Sequence, residues 1–322
     1  MDRLPKIILH NDVTGHLASK LETHLPGADY RECNSYEGLP ELVASYRPDI
    51  VYTVRFNGAA GYPRDTLFGP AGPKWIANGG VGTDHFGMWD ANRVTVTNTA
   101  GVAADMMAEY VLGSFLHFTL DVPGLQADKA ACKWNLRQMI SLKGKTLLIV
   151  GLGSIGRAIA VRAKAFGMEV LGTRARPEPM EHVDEVHPAG NLQGLVPRAD
   201  FIAVCTPLTS QTRGLIDRTV LSSVKRGAIL ADVSRGGVIV QADLMEALDS
   251  SGLAAAALDV FETEPLPDDS ALWRQPNVLI SPHCSSVYEG WEAASFGMFL
   301  ANLDRWINGV PLENIVDPMR GY

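Results

Sequence analysis

Three short apolar runs in the second half of the chain each lead into residues that can do chemistry. The first gives Asp232-Val-Ser-Arg235-Gly-Gly, the second Leu258-Asp259-Val-Phe-Glu-Thr-Glu264-Pro-Leu-Pro, and the third Ser281-Pro-His283-Cys-Ser-Ser. An arginine carries a fixed charge and a fork of donors suited to a carboxylate or phosphate. A histidine gains and loses a proton near neutral pH, which suits general acid–base work. The ends of buried strands are where open α/β sheets bind their ligands.

A fourth segment lies upstream and bears on phosphate. Thr146-Leu-Leu-Ile-Val-Gly-Leu-Gly-Ser-Ile-Gly156 joins an unbroken apolar run to the spacing Gly151-x-Gly153-x-x-Gly156. The run reads as a strand buried on both faces. A helical pattern follows, with Ala158, Ile159, Val161, Ala163 and Phe166 at its apolar positions, and Gly167 ends it. Gly151 permits the tight turn, Gly153 lets a pyrophosphate approach the backbone, and Gly156 lets helix and strand pack closely. The amides of Ser154 and Ile155 then stand at a helix N-terminus, where an anion is favoured. This context makes the segment a dinucleotide site.

The elements that must carry these residues alternate between strand and helix, the pattern of a doubly wound parallel sheet. Strands are expected at 6–10, 49–54, 74–77 and 94–97, with helices at 15–25 and 36–46 between them. The second half repeats the alternation, with strands at 147–150, 168–173, 201–205, 228–232, 255–259 and 278–280. Helices are expected at 241–250 and, amphipathic, at about 288–308. Residues 55–72 read as loop. Residues 102–122 are apolar nearly all round, as expected of a helix buried in a core or against another subunit. Asp105, Glu109, His117 and Asp121 interrupt that run and argue against a membrane span.

The 322 residues allow two domains and a large core. A hydrophobic fraction of 46% and a charged fraction of 20% are those of an ordinary globular protein. Net charge is −8, so nothing draws the chain to nucleic acid or an anionic membrane. Cys33, Cys132, Cys205 and Cys284 lack metal-ligand spacing and read as reduced thiols, and no metal is expected. The first apolar segment, Ile7 to Leu9, is too short for a signal peptide, so a cytoplasmic location is expected. His10, His85 and His117 stand outside the segments above and read as structural.

The strand after the glycine turn sets the cofactor expectation. In NAD-specific sites that strand ends in an acidic residue, which accepts bonds from the adenosine ribose. Here Glu169-Val-Leu-Gly-Thr173 runs into Arg174-Ala-Arg176. An arginine there would pair with a 2′-phosphate, which an acidic side chain would repel. NADP(H) is therefore the expected cofactor, with NAD(H) the alternative if both arginines are merely solvated.

Taken together the motifs resemble the D-isomer-specific 2-hydroxyacid dehydrogenase family over nearly the whole chain. They are Gly151-Leu-Gly-Ser-Ile-Gly156, Cys205-Thr-Pro-Leu-Thr-Ser-Gln-Thr212, the Arg235 segment, Asp259 to Pro265, and Ser281-Pro-His283. The resemblance implies catalytic roles for Arg235, Glu264 and His283. His283 would exchange a proton with the substrate oxygen, Glu264 would fix the imidazole tautomer, and Arg235 would bind the substrate carboxylate. It places Asp259 near the nicotinamide amide, with Cys205, Thr206, Pro207, Thr212, Val233 and Ser234 along the cofactor. Asn78-Gly-Gly-Val-Gly-Thr-Asp84 matches the family's substrate loop, so Gly80, Val81 and Gly82 are candidate substrate-binding amides.

The implied architecture is two doubly wound, Rossmann-like α/β domains with a cleft between them. A discontinuous substrate domain would span 1–98 plus 286–322, around a dinucleotide domain at 99–285. A homodimer built on the helix at 102–122 is implied as well. The arginine at the usual acidic position resembles the NADPH-preferring glyoxylate and hydroxypyruvate reductases of the family. A D-3-phosphoglycerate-type dehydrogenase is the alternative, and an NAD(H)-sensing corepressor-like scaffold a more distant one. Formate dehydrogenases of the family carry glutamine where Glu264 stands, which argues against that activity. Arg55 follows a strand of the first domain and is a candidate second anchor for an anionic substrate; the competing reading is a loop arginine facing water. If it is an anchor, Arg55→Ala weakens binding of a phosphorylated or dicarboxylic substrate and spares a small uncharged one. Equal effects in steady-state KM measurements would reject the role.

Overall fold

The computed structural model describes residues 3–56, 61–250 and 252–321. Its contacts divide the chain into two compact units, Met1–Val102 with Glu289–Tyr322, and Ala103–Tyr288. The divisions fall at 102/103 and 288/289, where the motifs place them at 98/99 and 285/286.

The first unit begins with β1 (Lys6–His10), α1 (Gly15–His24), β2 (Asp29–Cys33) and α2 (Leu39–Tyr46). It continues with β3 (Ile50–Thr53), α3 (Arg64–Leu67), β4 (Trp75–Asn78) and β5 (Thr95–Thr97). The five strands are parallel, in the order β2-β1-β3-β4-β5. The sequence pattern misses β2 because Asp-Tyr-Arg-Glu-Cys has three charged residues in five and lies at the sheet edge, largely exposed. Proline at the start of α2 shortens the helix expected from Tyr36. The segment expected to be loop at 55–72 contains the one-turn helix α3, whose Leu67 is buried. Asn57, Gly58, Ala59 and Ala60 of that segment lie outside the described residues.

The second unit opens with α4 (Ala104–Thr119) and α5 (Val122–Ala130), where one helix at 102–122 is expected. Asp121 separates them. It sits at φ 50 and its side chain accepts from the Gly124 amide, capping α5. Then come β6 (Thr146–Val150), α6 (Ser154–Ala165), β7 (Glu169–Arg174) and β8 (Glu185–Pro188). The remainder is α7 (Leu192–Leu195), β9 (Phe201–Val204), α8 (Arg218–Leu221), β10 (Ala228–Asp232), α9 (Gln241–Asp249), β11 (Leu253–Leu258) and β12 (Val278–Ile280). The seven strands are all parallel, in the order β12-β11-β10-β9-β6-β7-β8. The order reverses between β6 and β9, so the ligand-binding switch point falls at their C-terminal ends. The chain then returns to the first unit as α10 (Trp291–Ile307), and Ile315 bridges antiparallel to Thr97.

Each sheet is covered on both faces, as parallel sheets are. In the first unit Ile7, Leu9, Tyr52 and Trp75 pack with α1 and with Phe296 and Phe299 of α10. The alternate residues Ile8, Val51, Ile76 and Val96 pack with Leu39 and Val43 of α2. In the second unit Leu147, Ile149, Val170 and Ala231 meet Val111 and Phe115 of α4 and Ile159 and Ala163 of α6. Leu148, Leu171, Ile202 and Leu230 meet Leu244 and Leu248 of α9. Val161 of α6 and Phe166 just after it, read from the sequence as apolar-face positions, are exposed. Arg162 of the same helix binds Asp105 and Glu109 of α4, so α4 has a polar edge that the sequence pattern understates. No helix of the described residues is long and apolar enough to cross a membrane.

Candidate active site

The glycine turn is built at the switch point by contacts that only glycine permits. Gly151 sits at φ 106, and a Cβ there would stand 3.0 Å from the backbone of Thr206. A Cβ on Gly156 would lie 2.2 Å from the carbonyl oxygen of Gly151, so α6 packs onto β6 through hydrogen atoms alone. Gly153 has open space where its Cβ would point and begins α6 with no side-chain cap. The first turn of the helix therefore presents amides to a phosphate-sized anion, and the backbone does not obstruct it.

Arg174 ends β7 and is half-buried, and Arg176 is exposed two residues on. Among the described residues neither guanidinium has an ion pair or hydrogen bond. Both are available to a charged ligand, as a 2′-phosphate site requires.

Other residues expected along the cofactor have their side chains engaged within the protein. The Cys205 thiol donates to the Gly151 carbonyl at 3.0 Å, and burial pushes its pKa up to about 12. It braces the turn as a neutral group. Thr212 Oγ1 donates to the Pro207 carbonyl at 2.6 Å and accepts from the Thr209 amide at 2.7 Å, closing its own loop. Val233 is a core residue whose amide donates to the Val204 carbonyl. Ser234 gives its amide and hydroxyl to Asp232 Oδ1, at 3.0 and 2.5 Å. Thr206 stands beside Gly151, two residues past the end of β9, and Pro207 follows it.

The residues expected to be catalytic come together in this unit. Glu264 Oε2 meets His283 Nδ1 at 2.8 Å, and Glu264 Oε1 accepts the Phe261 amide at 3.0 Å. Burial works to raise the Glu264 pKa, but the His283 hydrogen bond and charge, the Phe261 amide and Arg235 outweigh it and hold the carboxyl below its ordinary range. Arg235 Nη1 donates to the Ser234 carbonyl at 2.8 Å, and its charge reaches Glu264. With Nδ1 bound to Glu264, Nε2 is the ring nitrogen left to face a reactant.

The backbone at His283 is unusual. It lies at φ 52, a left-handed conformation that costs a non-glycine residue about 1 kcal/mol. Asp259, 1% exposed, grips the chain on both sides of it. Its Oδ1 accepts the Ser281 hydroxyl at 2.6 Å, the Cys284 amide at 2.9 Å and the Ser285 amide at 3.2 Å, and Oδ2 accepts the Ser285 amide at 3.1 Å. Motif matching assigns Asp259 to the cofactor and misses this second task. No sequence signal distinguishes the two, because two of the three donor residues give backbone amides.

In the first unit the loop after β4 has its carbonyls held inward. Asn78 donates to the Gly80 and Gly82 carbonyls at 2.8 and 2.9 Å, and Asn98 to that of Val81 at 2.8 Å. Among the described residues the amides of Gly80, Val81 and Gly82 have no acceptor. Their donors are therefore open to an acceptor from outside the loop. Arg55 is exposed in the same unit and has no ion pair among the described residues. His10 is fully buried against Thr53, and burial drives its pKa down to about 4, so it stays neutral.

Comparison with known proteins assigns the chain. Residues 112–285, over half of it, match the family described as D-isomer specific 2-hydroxyacid dehydrogenase, NAD binding domain. The D-3-phosphoglycerate dehydrogenase of Methanocaldococcus jannaschii is 34% identical over 249 residues, which are 76% of this chain and 47% of that protein. The chain thus spans about half the length of that relative. Glyoxylate/hydroxypyruvate reductase B of Serratia proteamaculans is 30% identical, covering 98% of both chains. A D-isomer specific 2-hydroxyacid dehydrogenase of Xanthobacter autotrophicus, solved in complex with NADPH and MES, superposes with a TM-score of 0.83 at 29% identity, covering 99% of this chain and 100% of that one. The chain belongs to the D-isomer specific 2-hydroxyacid dehydrogenase family.

Asp232 gives the site a testable electrostatic signature. Burial, opposed by the Ser234 hydrogen bonds, and the neighbouring Asp259 push its pKa up to about 7. The folded state then keeps a proton that the unfolded chain releases near pH 4. Asp232 therefore costs stability progressively as pH rises from about 4 to about 7, and no further above that. Asp232→Asn should gain on the wild type across that window by up to a few kcal/mol. Urea unfolding at pH 4.5 and pH 8 measures this, and a gap that does not widen with pH would refute the assignment.

Proposed function

We propose that this chain is an NADP(H)-preferring oxidoreductase that reduces a small 2-oxo acid to the D-2-hydroxy acid, in the manner of glyoxylate/hydroxypyruvate reductases. The observation that carries the reading is the 2.8 Å contact between Glu264 and His283. It leaves the other histidine nitrogen for a reactant, on the unit that bears the dinucleotide turn and Arg235, whose charge reaches Glu264.

A bound nicotinamide dinucleotide supplies the hydride. Gly153 and the amides of Ser154 and Ile155 hold its pyrophosphate, and Arg174, assisted by Arg176, takes the 2′-phosphate. Arg235 binds the substrate carboxylate through its fixed charge. His283, held by Glu264 in one orientation and tautomer, delivers a proton to the carbonyl oxygen and recovers it in the oxidative direction. The amides of Gly80, Val81 and Gly82 donate to an anionic oxygen of the substrate.

The four cysteines are all unpaired, which fits a reducing compartment such as the cytoplasm. We read the working state as a homodimer. After α5, Arg137 clasps Asp121 and Asp128 and holds residues 131–141 against the unit, with Trp134 and Leu136 each 98% exposed. So large an apolar surface on an anchored segment fits a second copy of the chain, and light scattering should give twice the chain mass.

The reductase assay follows loss of NADPH or NADH absorbance with glyoxylate, hydroxypyruvate, pyruvate and 3-phosphohydroxypyruvate. Turnover favours NADPH and the small acids. His283→Ala lowers kcat by about 100-fold or more. Arg174→Ala raises KM for NADPH by about tenfold and leaves NADH unchanged. Preference for NADH would return Arg174 to the solvated surface, and preference for the phosphorylated acid would favour the phosphoglycerate-type reading. Cofactor binding without turnover of any acid would remove the enzyme reading.

A further inference from the structure

The loop that carries His283 is tied to α4. Tyr110 of α4 stands 171 residues upstream in sequence, and its phenol oxygen lies 2.7 Å from Ser281 Oγ. The single Ser281 hydroxyl proton goes to Asp259. Tyr110 must therefore be the donor and Ser281 the acceptor, which leaves one direction for the relay: Tyr110 to Ser281 to Asp259.

Asp259 is where this relay meets the histidine backbone, because the same carboxyl receives the amides of Cys284 and Ser285. His283 lies between these gripped residues in a left-handed conformation. Its own amide bonds only within the loop, to the Ser281 carbonyl at 3.0 Å. Of the groups holding the loop through Ser281, only Tyr110 comes from a helix. That helix packs along α6, with Arg162 bridging to Asp105 and Glu109, and α6 starts at the glycine turn. One two-helix layer thus registers both the phosphate turn and the histidine.

We propose that Tyr110 is a positioning residue for proton transfer, acting through Ser281 and Asp259 to hold the backbone that aims His283. The proposal rests on the reductase reading for its kinetic consequence and on geometry alone for its structural one. The groups facing the relay are Asp259 from the end of β11, Ser281 and Cys284 from the loop, and Asp232 from the end of β10. Burial, eased by Ser281, raises the Tyr110 phenol pKa, so it remains a donor through neutral and alkaline pH. Loss of the phenol leaves the ring packing in place and removes one donor. Displacement of a catalytic group by a fraction of an ångström suffices to slow a reaction severalfold or more.

The test uses the full chain with Tyr110→Phe, Ser281→Ala and the double variant. In the NADPH assay, Tyr110→Phe lowers kcat about tenfold while KM for NADPH stays within about twofold. Because Tyr110 acts through Ser281, the double variant matches Ser281→Ala alone instead of multiplying the two losses. A kcat within twofold of wild type in Tyr110→Phe, or losses that multiply, would overturn the proposal. Hydrogen exchange of the peptide spanning 281–288, read by mass spectrometry, needs no turnover. The relay requires the Cys284 and Ser285 amides to exchange about tenfold faster in Tyr110→Phe, with the α4 and α6 peptides unchanged. Unchanged exchange in that peptide sinks the relay even in a protein that reduces nothing, whereas faster exchange in Tyr110→Phe beside a wild type that reduces none of the acids sinks only the reductase reading.

Discussion

Asp259 is the point on which this site turns. A carboxyl group with 1% exposure must have its acceptors filled, because burying unpaired polar oxygens costs several kcal/mol. Here the donors are a hydroxyl and two successive backbone amides from the segment after β12, so filling the carboxyl also shapes that segment. The left-handed turn at His283 is held in place by these bonds, and the imidazole that emerges from it reaches Glu264. The geometry of the histidine is thus set by the solvation needs of a different side chain.

A second constraint runs through the glycines. Gly151 and Gly156 allow strand, turn and helix to approach to distances that a single methyl group would forbid. Cys205 belongs to the same construction, since its thiol donates to the turn's carbonyl. Packing that tight leaves little freedom to the turn, and a rigid turn is what a fixed phosphate site needs. The Asp232–Ser234 pair works similarly at the next strand end, where it organises the chain just before Arg235.

Side chains that look like ligand contacts in the sequence divide into two groups once folded. Cys205, Thr212, Ser234 and Asp259 carry polar atoms that find partners within the protein. Arg174 and Arg176, and the amides of Gly80, Val81 and Gly82, keep their donors open among the described residues. A motif records that a residue type is required at a position. Whether the requirement is contact with a ligand or support of a loop depends on where each polar atom finds its partner.

The amino-acid sequence by itself determined the strand–helix alternation, most of the buried strands, the glycine turn, the arginines after β7, and the set Arg235, Glu264 and His283. These are properties of local pattern: apolar runs, residues that punctuate, and types fixed at short spacing. It did not determine β2 or β8, edge strands whose polar composition carries no alternation signal, nor the break that makes α4 and α5 two helices around Asp121. It was silent on Tyr110, whose pairing with Ser281 spans 171 residues and has no local signature. The partners of Asp259 and the burial of Asp232 come from the folded chain, because burial and hydrogen-bond satisfaction are set by what it brings within about 3 Å, and sequence spacing does not encode that distance.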